Sequence, residues 1–120
     1  MNRRWIGKWI IGVAILHTVF GLVSFGRFLK PVIQRGVFNA IGGDVPAAFA
    51  VWFLLFGAAL LIAGMAIAML ENALAQPLPK SLGWSLLLLA IVGIVLMPAS
   101  GFWLIFPPAL AVLLAKAKTA

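Results

Sequence analysis

Polar positions are so few in this chain that they work as punctuation, cutting one long apolar text into four runs. The first covers about residues 5–28, framed by Arg3 and Arg4 on one side and Arg27 and Lys30 on the other. The second covers about residues 46–70, from Asp44 and Pro46 to Glu71 and Asn72. Leu82 to Ala115 is too long for one crossing and is interrupted at Pro98-Ala99-Ser100-Gly101, which gives a third run near residues 81–97 and a fourth near 101–115. About twenty helical residues at 1.5 Å each traverse a hydrocarbon core of roughly 30 Å. The pattern therefore predicts an all-α fold. It is a polytopic membrane four-helix bundle, a single transmembrane domain over residues 1–120, with a short interfacial segment between helices one and two.

The connections carry their own signals. Pro31 can open a short helix with Val32, Ile33, Val37 and Phe38 on its apolar side, and Gly42-Gly43 reads as a turn. Asp44 before Pro46 reads as a helix start, capping the second run or pairing with Arg35 or Arg27. Glu71 is expected at an interfacial helix end near Lys80, behind the stiff connector Gln76-Pro77-Leu78-Pro79. Pro107-Pro108 removes two backbone donors from the fourth run. A kink or non-helical turn is predicted between Phe102 and Pro108, with the carbonyls of Trp103 and Leu104 satisfied by neighbours or water. The alternative for this run is a re-entrant hairpin.

Composition strengthens the membrane reading. Of 120 residues, 65% are hydrophobic and 9% charged, against about half and about a quarter in soluble domains. The net charge of +7 lies at the ends of the apolar runs rather than on a basic stripe, so no nucleic-acid partner is expected. With four crossings, Arg3, Arg4, Lys8, Lys80, Lys116 and Lys118 share one side, and Arg27, Lys30 and Arg35 the other. Six bases against three place both termini in the cytoplasm. Trp5, Trp9 and Trp84 then fall near the inner interface, and Trp52 and Trp103 nearer the outer one. The first run is read as a retained span, since no small-x-small cleavage site follows it.

Chemistry is sparse. The absence of Cys excludes disulfides and thiolate chemistry, and one His does not make a metal site. Asp44 and Glu71 lie on opposite sides of the predicted membrane and cannot act as an acid–base pair. Ser100 has no base at its depth. No catalytic residue, metal or cofactor is expected. His17 is the sharpest feature, because an ionisable side chain mid-span is expensive and points to function by default. It shares a face with Gly21 and Ser24, so the stripe should look toward other helices. The imidazole either hydrogen-bonds a neighbouring helix as packing or serves as a ligand or proton site. Phe49, Trp52, Phe53 and Phe56 form an aromatic face on the second run, suited to a flat lipophilic ligand or to helix packing. Gly7, Ala14 and Gly21, and likewise Gly57 and Gly64, recur at seven-residue spacing, which lets helices approach closely.

Several segments together carry a resemblance: Gly12 through Thr18, Phe38-Asn39-Ala40-Ile41-Gly42-Gly43-Asp44, Trp52-Phe53 with Phe56-Gly57, Pro79 through Trp84, and Met97 through Leu104. The chain resembles an uncharacterised family of small bacterial four-helix membrane proteins, broadly similar to DoxX-like proteins. The resemblance implies a bacterial inner (plasma) membrane location and transfers no catalytic residue. The expected function is non-catalytic binding of a lipophilic small molecule or a partner in an intramembrane cavity lined by His17, Ser24, Trp52 and Phe56. One alternative is a small transporter, working as a homo-oligomer, with His17 proton-linked. Another, implied by the resemblance, is an accessory subunit of a membrane redox complex.

Overall fold

A computed structural model describes residues 4–116. Arg3 and Lys118, counted among the cytoplasmic bases, lie outside the described residues. The fold is all-α, with five α-helices and no strand among the described residues: α1 (Ile6–Phe25), α2 (Lys30–Gln34), α3 (Val45–Ala73), α4 (Lys80–Leu96) and α5 (Phe106–Leu114). Two 3₁₀ segments, Gly26–Phe28 and Gly101–Ile105, extend α1 and precede α5. The helices follow the expected runs to within a few residues, and α2 carries Pro31 in its first turn, where a missing N–H breaks no helical bond.

Glycine spacing determines how α1 and α3 pair. They run antiparallel at backbone distance, and contact after contact falls on a small residue. A Cβ on Gly7 would overlap the backbone of Ala68; one on Gly64 would sit 2.9 Å from Ile11. Further along, a Cβ on Gly57 would sit 2.5 Å from Thr18 Oγ1, and one on Gly21 2.6 Å from the Phe53 ring. The seven-residue periodicity is thus a packing seam, as expected.

A second antiparallel pair, α4 with the 3₁₀ segment and α5, closes over Gly83 and Gly93, where Leu113 and the Phe102 ring fill the space a side chain would take. The joins between the pairs run mainly from α1 to α5 and its 3₁₀ segment. The core they share holds Ile6, Ile10 and Ala14 of α1, Leu60 and Ile67 of α3, Leu86 and Ala90 of α4, and Ile105, Ala109 and Val112. On the first pair these residues belong to the half containing the start of α1 and the end of α3. The other half is held mostly by its own two helices, and its outer residues are bare: Val23 is 81% exposed and Trp52 70%.

This sliding of one pair along the other changes one expectation. Trp9 Nε1 donates to Leu104 O at 2.7 Å. Trp103 therefore sits next to a carbonyl held by Trp9, not at an opposite interface. The same contact explains the proline segment. Before Pro107-Pro108 the chain forms a 3₁₀ turn rather than α-helix. The Leu104 carbonyl is taken by the indole, and the Trp103 carbonyl accepts the Phe106 N–H.

Charged side chains close two helix termini at the end of the assembly where α3 passes into α4. Trp5 at the N-cap of α1 offers no side-chain acceptor. Glu71, from the last turn of α3, supplies one: its carboxylate accepts Gly7 N–H at 2.7 Å and Ile6 N–H at 3.2 Å. These are two of the donors every helix start leaves orphaned, at the positive end of the helix dipole. Lys80 was expected near Glu71. Its ammonium instead donates to the carbonyls of Val112, Leu113 and Ala115 at the negative end of α5.

Candidate functional site

His17 sits two turns before the end of α1, on the seam with α3. Its Nε2 lies 2.8 Å from the Phe53 carbonyl oxygen, which can only accept, so this nitrogen carries the hydrogen. The imidazole stacks on the Phe53 ring, with centroids 3.9 Å apart and planes 11° apart. Phe56 meets it edge-on at 5.4 Å. Gly57 makes room for this arrangement: a Cβ there would come within 3.1 Å of His17 Cδ2. Thr18 is satisfied within its own helix, donating to Ala14 O at 2.9 Å.

The packing expectation for His17 is met through Nε2, because its partner is the backbone of another helix. The four residues proposed as a lining are brought together unequally. Phe56 touches His17, whereas Trp52 is turned outward one helical turn away on α3. Ser24 is half-buried near the far end of α1, two turns beyond His17.

The aromatic neighbourhood is larger than the α3 face alone. Phe25 packs on Phe49 at 4.9 Å and on Phe53 at 5.1 Å, and Phe20 reaches Phe53 at 6.1 Å. From the second hairpin, Phe102 approaches Phe56 at 6.3 Å. Sequence reasoning missed Phe20, Phe25 and Phe102. For the first two a signal existed, because residues three and seven or eight beyond His17 share its side of the helix.

At the far end of the hairpin, the loop after α2 is organised by Arg35. Its guanidinium donates to Ala40 O at 2.9 Å and pairs with Asp44 at 3.0 Å. Asp44 also caps α3 through Ala47 N–H at 3.2 Å, so the cap and the ion pair expected of it are both present. The loop bounds an open depression of about 350 Å³ lined by Arg35 and residues 39–44. Val37, at φ 70°, stands between Gly36 O and Phe38 N, 2.7 Å apart, in a tight γ-turn that leaves Phe38 91% exposed.

Among the described residues no group of three metal-ligating side chains occurs. Two helical stretches, Ile6–Phe28 and Val45–Ala73, are long and apolar enough to cross a membrane. A family model matches residues 1–119. The chain belongs to DUF6463, a family of unknown function. No curated protein and no solved structure matches it. The family therefore assigns no activity, and the functional reading rests on the geometry around His17.

Proposed function

We propose that this chain is a multi-span protein of the bacterial inner membrane that binds a lipophilic molecule, without catalysis, on the aromatic surface around His17. The observation that carries the reading is the His17–Phe53–Phe56 stack, set in the half of the α1–α3 hairpin that the second hairpin leaves largely bare. Trp52 extends this surface outward on α3, and Ser24 supplies a hydroxyl farther along α1. Exposed apolar side chains such as Val23 and Trp52 suit acyl chains and disfavour water.

In this reading both hairpins enter the bilayer from the cytoplasmic side, in keeping with the distribution of bases. The second is the shorter: α4 has 17 residues against 29 in α3, and its tip brings Phe102 only to the level of Phe56. That stagger favours a deep re-entrant hairpin over two full crossings, and either arrangement leaves both termini cytoplasmic. The bare faces of α1 and α3 leave room for a second copy of the chain. The DoxX-like resemblance is part of the same proposal. Mass spectrometry of small molecules co-purifying with the protein in mild detergent tests the binding. A lipophile enriched on the native chain and depleted on His17→Leu supports it, and identical lipid profiles for the two contradict it.

A further inference from the structure

We propose that the molecule bound beside His17 is a hydroxylated aromatic lipophile whose hydroxyl donates to His17 Nδ1; the inference rests on the binding reading above and names its ligand class. The Cδ2–Nε2 edge of the imidazole faces α3. Nε2 is on the Phe53 carbonyl at 2.8 Å, and Cδ2 is 3.1 Å from where a Gly57 Cβ would be. The atom across a five-membered ring from that edge is Nδ1, so Nδ1 points away from α3. In the neutral imidazole the donor is spent on Phe53, and the atom pointing away is a bare acceptor.

Acyl chains have no donor to offer this lone pair, and an acceptor facing hydrocarbon without a partner is costly. A phenolic or alcoholic hydroxyl meets it, whereas a ketone, ester or ether brings a second acceptor and gains nothing. One face of the imidazole is already covered by Phe53, stacked at 3.9 Å. A ligand ring therefore lies alongside Phe56, which meets His17 edge-on and is 38% exposed, and toward Trp52. Flatness suits those aromatic neighbours, and the hydroxyl fixes which end of the molecule turns inward.

The chain contains one histidine, so its ring nitrogens can be read by ¹⁵N NMR without assignment ambiguity. Full-length, histidine-labelled protein in lipid nanodiscs is titrated with para-octylphenol and, in parallel, with its methyl ether, para-octylanisole. The expected result has three parts. Nε2 carries the hydrogen in the free protein; the phenol shifts Nδ1 while leaving Nε2 in place; and the phenol binds about tenfold more tightly than the ether, the effect of one net hydrogen bond. His17→Leu should erase that preference while retaining the weaker, ether-like affinity. Equal affinities with an unmoved Nδ1 would overturn the hydroxyl inference and leave lipophile binding standing. Failure of both probes to bind would overturn both. Because the NMR comparison uses native protein, the outcome does not depend on the variant folding.

Discussion

Replacing Glu71 with alanine should loosen the whole hairpin, although the residue is 65 positions along the chain from the first amide it holds. Its carboxylate takes the N–H groups of Ile6 and Gly7, and it is 9% exposed, so water is poorly placed to substitute. Hydrogen bonds to a charged partner contribute roughly 1.5–3 kcal/mol each. The longer of the two, at 3.2 Å, is assigned the low end of that range. Removing both should cost about 4 kcal/mol, with the interaction between carboxylate and helix dipole included. Glu71→Gln keeps one acceptor oxygen and should lose about half as much. Reversible unfolding in mixed micelles, followed by circular dichroism, measures both variants. Amide exchange at Ile6 and Gly7 should rise in step with the loss. A destabilisation below about 0.5 kcal/mol for Glu71→Ala, the range of ordinary surface substitutions, would refute the claim that this carboxylate anchors the start of α1.

Three other substitutions probe separate parts of the molecule. Gly64→Leu places a side chain against the Ile11 backbone and should destabilise by at least about 1–3 kcal/mol in the same assay, whereas Gly12→Leu, with nothing within 4 Å of its Cβ, should be close to neutral. Asp44→Ala removes the α3 cap and should cost about 1 kcal/mol; the Arg35 ion pair adds little, because that side chain is 45% exposed. His17→Leu should leave insertion and folding largely intact, while His17→Lys, which brings a charge to the Phe53 stack, should reduce the yield of folded protein in a size-exclusion assay.

The parts of the fold legible in the sequence are those written in local spacing. Helix limits follow the polar punctuation, Asp44 shows its cap through Pro46, and Pro107-Pro108 announces the 3₁₀ turn. The glycine seam was legible because seven residues return a helix to nearly the same face. What was not legible is how the two hairpins register. Helices α1, α3 and α4 are apolar on all sides, so no stripe points to a particular neighbour. The decisive partners are also backbone groups: the Leu104 carbonyl for Trp9, the α1 amides for Glu71, the α5 carbonyls for Lys80. Residue identity does not reveal such partners. One clue to Glu71 was present nonetheless, since it stands seven residues beyond Gly64 and so continues the seam that faces α1. His17 was legible as a polar residue on the helix–helix face; its orientation, and hence the direction of Nδ1, was not.

The proposed site requires that α1 and α3 pass through the bilayer as a hairpin, and the cysteine-free chain makes that requirement directly measurable. Single cysteines are introduced at Phe38 in the loop, Leu16 beside His17 and Ala75 after α3, and intact cells are exposed to a membrane-impermeant maleimide. Phe38→Cys should be modified from outside, Ala75→Cys only after lysis, and Leu16→Cys only after denaturation. Modification of Ala75→Cys in intact cells, or of Leu16→Cys in the native protein at the rate of Phe38→Cys, would contradict the placement of His17 inside a membrane-spanning hairpin.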